Sequence, residues 1–445
     1  MNDRSFSESF KAMLFSTALH CAGKMPRQSL INAIRLSERN PFQGALGERV
    51  EILRGAMKGP SGHYHLPDKE FWEEIDPAIR KKLLHNFMIN ATAIGAVRQK
   101  KKERSLQCNI PWLILMDPTS ACNLQCEGCW AADYGNELSM SYTTLHNIIL
   151  QGKELGIHVY VYSGGEPLIR KDDLIKLAEV HHDCVFLAFT NGSAVDEDFA
   201  NALSRVQNFM LALSVEGFER ETDQRRGAGS YQKMVHAMEL LKKKRLVFGF
   251  STCYTSENVD TVSSEKYFDE MIEKGCKFGW FFTYIPIGEH AVPELMATPE
   301  QREHMYYQAR KFRKTKPLLT IDFWNDAEYV GGCVAGGRKY LHINANGDIE
   351  PCAFVHYSDT NIHTHTLIEA LHSPLFREFG KHQPFNQNHL RACPLLDNPD
   401  SLVQMINTSG AHSTEAMSPE PVERIRERVS VTAKKWGEIA NRIWY

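Results

Sequence analysis

The sequence predicts an α/β fold: a full or partial barrel of alternating strands and helices, with a helical region before it and a small cysteine-containing extension after it. Two observations support this prediction. Short apolar, β-branched runs alternate with amphipathic stretches between residues 108 and 328, and nearly continuous apolar strands separated by helices indicate a parallel sheet covered by helices. The alternation is missing before residue 108 and ends near residue 330.

Residues 1–107 are expected to be helical. Apolar residues recur at three- and four-residue intervals in SESFKAMLFSTALHCAG, SLINAIRLSE and DPAIRKKLLHNFMINATAIGAVRQK, which is the spacing of a buried helix face. The segment KGPSGHYHLP between them is predicted to be a loop, because glycine and proline interrupt helices.

The barrel region over residues 108–328 contains six predicted strands and a candidate seventh: WLILMDPT, HVYVYSGG, CVFLAFTNG, FMLALSVEG, FGFSTCYT, GWFFTYIPIG and LLTIDFW. In such a barrel the chemistry lies at the carboxyl ends of the strands. Polar and glycine-rich segments lie at those ends, namely the residues from Thr119 onward, SGGEP, TNG, SVEG and PIGE. We therefore expect the functional site there.

The chain after the barrel is predicted to form an extension over residues 329–400 and a helical tail over residues 401–445. YLHINANGDIEPC indicates a β-hairpin that turns at the Asn346-Gly347 pair. A loop-rich stretch is expected next, and PEPVERIRERVSVTAKKWGEIANRIW is predicted to close the chain as a helix.

Charge and composition exclude several classes of partner. A net charge of −3 over 445 residues gives no basic field, so no nucleic-acid partner is expected. No stretch reaches the roughly 18–20 apolar residues of a membrane span, and the N-terminus lacks the pattern of a signal peptide. A cytoplasmic location is expected. Thiols stay reduced there, so the eleven cysteines are interpreted as ligands or buried apolar residues.

Three cysteines, Cys122, Cys126 and Cys129, follow the first predicted strand in SACNLQCEGCWAADYG. They could share one face of a helix, although Asn123 and Gly128 favour a loop around a metal centre. Structural zinc takes four ligands, and cubic iron–sulfur clusters usually take four cysteines. Three thiolates would leave one iron open to a ligand that is not protein.

CNLQCEGC resembles the C-x3-C-x2-C signature of the radical SAM enzymes, and the resemblance covers roughly residues 110–395. It implies a partial (β/α)6 TIM-like barrel. It also implies that Cys122, Cys126 and Cys129 hold a 4Fe-4S cluster, whose open iron binds S-adenosylmethionine. Reduction of the cluster would then produce a 5′-deoxyadenosyl radical, with an electron donor such as flavodoxin or ferredoxin.

Further motifs agree with this resemblance. SGGEPL ends the second predicted strand, where the family places a GGE motif against the methionine amino group. The resemblance therefore implies that Gly164, Gly165 and Glu166 contact S-adenosylmethionine. Two glycines allow a close backbone approach, and Glu166 supplies an acceptor for an ammonium group. Asn191 of TNG, at the end of the third strand, is expected to face the same pocket.

The segment SVEGFERETDQRRGAGSY after the fourth strand is similar to the family's S-x-D-G…H-D-x-x-R segment. The similarity implies that Ser214 lies near the ribose and Arg226 near the methionine carboxylate, with Arg225 as the alternative. Glu216 stands where the family usually has Asp, and Thr222 where it has His. A solvated, charged helix start is the alternative interpretation of this segment.

One position departs from the family pattern near the triplet. Many members have an aromatic residue just before the third cysteine, close to the adenine, and this chain has Gly128 there. Trp130 could replace that aromatic residue, or the TYIPIGE segment of the sixth strand could supply one.

Three further cysteines, Cys333, Cys352 and Cys393, lie in the extension. GDIEPC and RACPLL resemble parts of SPASM and twitch domains, which hold auxiliary iron–sulfur clusters. Three cysteines suffice for one such cluster, with an open iron or with His356 or His389 as the fourth ligand. The alternative is a degenerate extension that binds nothing. The other cysteines are interpreted as core residues: Cys21, Cys108, Cys184, Cys253 and Cys276.

Three functions compete for the substrate assignment. The first is a radical SAM enzyme that acts on a small molecule or a lipid, the second a SPASM-type peptide maturase, and the third a non-catalytic iron–sulfur scaffold. Hydrogen abstraction is the default chemistry and radical addition the alternative. No catalytic residue is assigned, although Asp322, Trp324 and His356 are expected near the pocket.

The CxGC form and the helical N-terminus are also similar to radical SAM enzymes of hopanoid and lipid biosynthesis. That similarity implies that the apolar faces of FKAMLFSTAL and LLHNFMINATAIG could contact a membrane surface or lipid tails. The alternative is that both faces belong to the core.

Overall fold

The computed structural model describes residues 73–288 and 290–445, so the helices and the loop predicted within residues 1–72 lie outside the described residues. From residue 77 the chain is helical, as predicted, through α1 (Pro77–Leu84), a π-helix (His85–Gly95) and α2 (Ala96–Leu106). Asp76 caps the first turn, because its carboxylate accepts hydrogen bonds from the next helical N–H groups.

The π-helix packs on the amino-terminal side of the barrel. The Asn86 amide donates to the carbonyl of Cys184 at 2.7 Å, next to the start of the third strand, and Met88 and Ile89 are buried. Phe87 and Ile94 are 38% and 44% exposed. Most of the apolar face of LLHNFMINATAIG is therefore core, and a membrane contact of this stretch would have to use the two exposed side chains.

The predicted alternation of strands and helices is present. Seven strands form its sheet: β1 (Leu113–Met116), β2 (Val159–Tyr162), β3 (Val185–Thr190), β4 (Phe209–Ser214), β5 (Phe248–Tyr254), β6 (Phe278–Thr283) and β7 (Leu319–Asp322). The helices between them are α3 (Tyr142–Leu155), α4 (Lys171–Val180), α5 (Glu197–Val206), α6 (Glu219–Arg226), α7 (Ser230–Lys243), α8 (Val259–Val262), α9 (Glu265–Glu273) and α10 (Pro299–Thr315). The strands pair in parallel in chain order.

The predicted hairpin forms β8 (Tyr340–Ile343) and β9 (Ile349–Glu350), which pair antiparallel. Gly347 in its turn has a φ of 88°, a backbone conformation that favours glycine. The sequence did not indicate that β8 also pairs in parallel with β1. The sheet order is therefore β7-β6-β5-β4-β3-β2-β1-β8-β9, an incomplete barrel that is open between β7 and the hairpin.

Alternating strand residues separate two apolar cores. Tyr160, Tyr162 and Phe186 face outward and pack with the helices, whereas Leu115 and Leu187 face inward and pack with residues of the extension. This two-residue period is expected for a barrel strand that is buried on both faces. The interior surface of the barrel is therefore covered by the extension.

The stretch expected to be loop-rich contains α11 (Leu367–Leu371), α12 (Pro374–His382) and α13 (Pro399–Ser409), besides the short strands β10 (Tyr357–Ser358) and β11 (His412–Ser413). That expectation was wrong, because Thr366 and Ser373 cap the first two helices and a short capped helix carries little periodic signal. The predicted closing helix is α14 (Val422–Trp444). Among the described residues, no helix combines the length and the apolar character that a membrane crossing requires.

Candidate active site

The three clustered cysteines lie on an irregular loop after β1 and not on a helix. Cys122, Cys126 and Cys129 are partly buried, and all three line one cavity of about 430 Å³ at the carboxyl ends of the strands. Burial, followed by Glu166 and the neighbouring thiols, raises the pKa of Cys122 to about 11, and burial also raises the pKa of Cys129. A bound cation or metal cluster would stabilise the thiolate forms of cysteines in such a site.

The cysteine loop is held by neighbouring barrel loops. The Asn123 side chain donates to the Ser193 hydroxyl at 2.8 Å and accepts from Asn191 Nδ2 at 2.9 Å. The backbone N–H of Glu127 donates to the carbonyl of Arg225 at 2.9 Å. The loop after β3 and the last turn of helix α6 thus fix the position of the cysteine loop. No histidine is found among the described residues that line this cavity, so the donor set fits a cubic iron–sulfur cluster with one open iron.

Gly164 and Gly165 bring the loop after β2 against the cysteine loop. A Cβ atom at Gly165 would lie 2.2 Å from the carbonyl oxygen of Ala121, and one at Gly164, where φ is +96°, would lie 2.7 Å from Asp117 Cβ. Both distances are too short for a side chain. The glycines are therefore needed where two backbone segments meet, in addition to any contact with a ligand.

Glu166 lines the cavity with a buried carboxylate that three donors hold in place. Oε1 accepts from the Thr190 hydroxyl at 2.6 Å and from Leu168 N–H at 3.0 Å, while Oε2 accepts from Asn191 N–H at 2.8 Å. Burial raises its pKa, and the three hydrogen bonds counteract part of that shift. One lone pair of Oε2 remains for a cationic donor.

Ser214 ends β4 and lines the same cavity. Its hydroxyl lies 3.4 Å from the hydroxyl of Ser251 on β5. Cys253, also on β5, lines the cavity as well, so its interpretation as a core residue was wrong. The inward-facing positions of β5 alternate with buried outward ones, and the sequence alone does not separate the two. Cys184 and Cys276 are buried as expected.

Arg225 and Arg226 both line the cavity and share one buried carboxylate, that of Glu216. Arg226 Nε donates to Glu216 Oε1 at 2.8 Å, and Arg225 Nη1 lies 2.9 Å from the same oxygen. Burial alone would raise the pKa of Glu216, but the two guanidinium groups outweigh it and lower the pKa. Arg226 Nη1 also lies 4.0 Å from Cys126 Sγ.

The two departures from the family pattern in this segment have structural explanations. Besides the two arginines, the longer Glu216 accepts a hydrogen bond from Cys253 N–H at 3.1 Å. Thr222 is buried, and its hydroxyl accepts from the Glu216 N–H at 3.1 Å. This segment is therefore an ordered ionic cluster and not a solvated helix start.

Tyr284, from the segment after β6, occupies the space next to Gly128. A Cβ atom at Gly128 would lie 2.6 Å from the Tyr284 hydroxyl, and the Arg225 guanidinium lies 6.0 Å from the centre of the Tyr284 ring. Trp130 also lines the cavity but packs against Tyr134 and His342, which lie toward the extension. Of the two predicted sources of an aromatic residue near the third cysteine, the TYIPIGE segment is therefore the one that places a ring beside Gly128.

Aromatic side chains form much of the remaining cavity wall, and sequence reasoning missed them: Phe189, Trp280, Phe282, Phe323 and Phe354. Trp280 and Phe282 stack with ring centres 5.7 Å apart, and Phe189 meets Trp280 edge to face at 5.4 Å. Phe189, Trp280 and Phe282 lie on strands that are apolar on both faces, so nothing in the sequence marked the inward positions. Phe323 follows β7, and Phe354 follows β9 in the extension.

The cysteines of the extension line a second cavity, of about 50 Å³. Cys333, Cys352 and Cys393 are close enough that the thiols of Cys393 and Cys352 add to the effect of burial in raising the pKa of Cys333. A donor set of three converging thiols fits an iron–sulfur cluster. The structure therefore places the three predicted ligands together.

Neither candidate histidine lines this second cavity. His356 was a wrong candidate, because its Nδ1 lies 3.0 Å from Glu415 Oε1 and its Nε2 lies 3.0 Å from the Ala353 carbonyl, which leaves no nitrogen for a metal. His389 packs on Trp444 with ring centres 5.5 Å apart. Of the three residues expected near the main pocket, neither Asp322 nor His356 lines a described cavity, and Trp324 lines the second one.

Fold and site together define a class of protein: an open parallel barrel whose strand ends present three thiols, a buried carboxylate and two arginines. Such a site suits an enzyme that binds a metal cluster and a charged small ligand.

Comparison with known proteins agrees with this class. The Radical SAM superfamily model matches residues 116–264, and SPASM, an iron–sulfur cluster-binding domain, matches residues 333–394. The chain is therefore a radical SAM enzyme with a SPASM extension, and this family implies a 4Fe-4S cluster, S-adenosylmethionine and an auxiliary cluster. It is an enzyme and not a non-catalytic scaffold.

Several curated proteins resemble the chain. It is 27% identical over 277 residues to the AdoMet-dependent heme synthase of Methanosarcina barkeri, covering 56% of this chain and 78% of the relative. It is 25% identical over 264 residues to the PqqA peptide cyclase of Granulibacter bethesdensis, covering 54% and 67%. The solved structure of Streptococcus suis SuiB bound to precursor peptide SuiA matches with a TM-score of 0.53 at 17% identity, covering 64% and 70%, which shows a shared fold.

Proposed function

We propose that this radical SAM enzyme acts on an apolar small molecule or lipid whose hydrocarbon part lies inside the barrel. The observation that carries the proposal is that the three thiols, the buried polar groups and the aromatic wall belong to one continuous cavity. The cluster and S-adenosylmethionine together supply a 5′-deoxyadenosyl radical for hydrogen abstraction. Radical addition remains the alternative chemistry.

The chain's own residues position these groups. Cys122, Cys126 and Cys129 hold the cluster, and the Glu166 carboxylate accepts a hydrogen bond from the methionine ammonium. Arg226, with its guanidinium near Cys126, holds the methionine carboxylate.

The sugar and base are held by three further side chains. Asn191 follows β3 and Ser214 ends β4, and both would face the ribose. Tyr284 takes the place next to Gly128 and would pack near the adenine. These contacts would orient the nucleoside toward the aromatic part of the cavity.

The apolar substrate class is supported by the shape and lining of the cavity. Beyond the cysteine loop its wall consists mainly of apolar side chains, many of them aromatic, and the cavity continues to Val330, Lys339 and Tyr340. Those residues lie after β7 and up to the first residue of β8, and Tyr340 pairs with the start of β1, at the end of the strands opposite to the cysteine loop. An elongated apolar substrate could thus have one carbon near the radical while its remainder extends along the cavity toward the start of β8.

A peptide substrate is the second candidate. It is supported by named relatives, the PqqA peptide cyclase and the sporulation killing factor maturation protein SkfB of Bacillus subtilis. The aromatic wall favours the apolar substrate over a charged or polar peptide, because peptide N–H and C=O groups would lack hydrogen-bond partners there.

The remaining assignments rest on the sequence. The enzyme takes electrons from a one-electron donor such as flavodoxin or ferredoxin and works in the cytoplasm. Its functional units are a helical region over 1–107, the radical SAM barrel over 108–328, the auxiliary-cluster extension over 329–400 and a helical tail over 401–445. Cys333, Cys352 and Cys393 hold one auxiliary cluster.

The radical chemistry is tested anaerobically with reconstituted protein, S-adenosylmethionine and dithionite. We expect 5′-deoxyadenosine from the wild type and from Cys108→Ala, whose thiol lines neither cavity, and none from Cys126→Ala. Equal product from the Cys126→Ala variant would overturn the assignment of the cluster ligands.

The substrate class is tested with diphenylhexatriene, a neutral apolar probe that fluoresces when bound. We expect saturable binding to the wild type and at least about tenfold weaker binding to Phe282→Asp, since burying a charge beside the probe costs over about 1.4 kcal/mol. Ile94→Asp is the control, because Ile94 is 44% exposed on the π-helix and lines neither cavity. Absence of saturable binding to the wild type would contradict the apolar class.

A further inference from the structure

The second cavity is lined by two side-chain donors besides its three thiols. The Tyr340 hydroxyl donates to Cys352 Sγ at 2.7 Å. The Trp324 indole lines the cavity together with Cys393 and acts to lower the pKa of that thiol, against the larger effect of burial. Both residues are buried and line the cavity. Each donor comes from a strand of the sheet or from its immediate end, since Tyr340 begins β8 and Trp324 follows β7.

The short distance at Cys352 distinguishes a hydrogen-bond donor from a metal ligand. Each iron of a cubic cluster takes a single ligand from the protein, so the ligands of different irons lie several ångströms apart. An oxygen 2.7 Å from a ligating sulfur therefore contacts the sulfur and not a second iron. Tyr340 is thus a donor to the Cys352 thiolate and does not fill the fourth ligand position.

The same two residues lie at the boundary between the cavities. Tyr340 lines both cavities, and its ring lies 6.2 Å from that of Phe323. Trp324 packs against Phe354 and Phe282, with ring centres 5.1 Å and 6.1 Å away, and both of these rings line the barrel cavity. The wall between the barrel interior and the extension thiols is therefore about one aromatic side chain thick.

We propose that Tyr340 and Trp324 are positioning residues that raise the reduction potential of the auxiliary cluster, at the aromatic wall facing the substrate cavity. The inference rests on the proposed ligation by Cys333, Cys352 and Cys393. One-electron reduction makes the cluster and its thiolates more negative. Hydrogen bonds to the sulfurs stabilise that reduced state and raise the potential.

The experiment isolates the auxiliary cluster in the full-length chain. Replacing Cys122, Cys126 and Cys129 together by alanine removes the first cluster, and about four irons per chain should remain after reconstitution. A dithionite titration then gives the midpoint potential of the auxiliary cluster, with the reduced cluster detected by electron paramagnetic resonance. Each reduced cluster has taken one electron from dithionite. Tyr340→Phe and Trp324→Phe are compared in this background.

We expect each variant to keep its iron and to shift the midpoint potential downward, with a larger downward shift in the double variant. Tyr357→Phe is the matched control, because the Tyr357 hydroxyl donates to the Glu420 carbonyl and not to a thiol. Its potential should equal that of the parent.

Three outcomes would overturn the proposal. An unchanged potential in both variants would show that the donors do not tune the cluster, and loss of iron from Tyr340→Phe alone, with folding intact by circular dichroism, would make Tyr340 a ligand. Absence of iron from the triple-alanine parent would remove the auxiliary cluster itself. In that last case, 5′-deoxyadenosine formation by the wild type would still support the main proposed function.

Discussion

The Tyr284 ring fills the space that a side chain at Gly128 would need: a Cβ atom there would lie 2.6 Å from the Tyr284 hydroxyl. Gly128 also has a φ of +61°, which is costly for other residues. The aromatic group beside the third cysteine is thus supplied from the segment after β6 and not from the cysteine loop. We expect Tyr284→Ala to weaken S-adenosylmethionine binding about tenfold, corresponding to about 1.4 kcal/mol of lost ring contact.

Equilibrium dialysis of the reconstituted protein measures that affinity. Tyr307→Ala is the control, because Tyr307 is 52% exposed on α10. An unchanged affinity in Tyr284→Ala would instead assign the adenine contact to Trp130.

The Glu216 carboxylate makes stability depend on pH through its two arginine partners. Its folded-state pKa is lowered, so its contribution to stability is present above the unfolded pKa of about 4.3 and is lost as the pH falls through the folded pKa. We expect Glu216→Gln to cost about 3–5 kcal/mol near pH 7, since it leaves two buried guanidinium groups uncompensated. The difference from the wild type should shrink below about pH 4.

Urea unfolding at several pH values measures this difference. Glu154→Gln, at an exposed position of α3, should behave as the wild type at every pH. A difference between Glu216→Gln and the wild type that stays constant with pH would show that ionisation of Glu216 does not stabilise the fold.

Replacing Glu166 by glutamine, its amide analogue, is expected to reduce both the stability of the protein and its affinity for S-adenosylmethionine. In the Glu166→Gln variant an NH₂ group would point at one of the donors that now bind the carboxylate, so the substitution should destabilise the protein by about 1–3 kcal/mol. It should also weaken S-adenosylmethionine binding, because the charged acceptor for the ammonium is lost. Thermal unfolding and dialysis check the two effects separately, and wild-type affinity in the variant would contradict the assigned ammonium contact.

His342 lies between two carboxylates in the interior, where β8 joins β1. Its Nε2 is 2.9 Å from Asp117 and its Nδ1 is 2.6 Å from Glu350. Burial alone would lower its pKa, but the two carboxylates outweigh that effect and raise the pKa to about 10. The stability contributed by the imidazolium is therefore complete below the unfolded pKa of about 6.5 and is lost as the pH rises through about 10.

We expect the free energy of unfolding of the wild type to fall by a few kcal/mol between about pH 6.5 and 10. This magnitude follows because a pKa difference of one unit between the folded and unfolded states corresponds to about 1.4 kcal/mol. His342→Gln should show much less of this fall. His412→Gln, at an exposed position of β11, is the control. Parallel pH profiles for the wild type and His342→Gln would rule out a protonated His342 in the folded state.

Much of the barrel could be predicted because each strand is an apolar run next to an amphipathic helix. The cysteine triplet and Glu166 could be placed because their spacing is local. The aromatic wall could not, since strands such as β6 are apolar on both faces and inward residues such as Trp280 look like core residues. Tyr340 was missed, and Trp324 was expected near the main pocket and not at the second cavity, because the importance of both residues comes from thiols distant in sequence.

The pairing of β1 with β8 also affects how the chain reaches its final fold during synthesis. Leu113 has Tyr340 as its partner, so one edge of the first barrel strand stays unpaired until the ribosome has made most of the protein. An exposed strand edge invites pairing with other chains. Slow translation or a truncation before residue 340 should therefore favour aggregation of the nascent enzyme, even when every residue of the preceding strands is present.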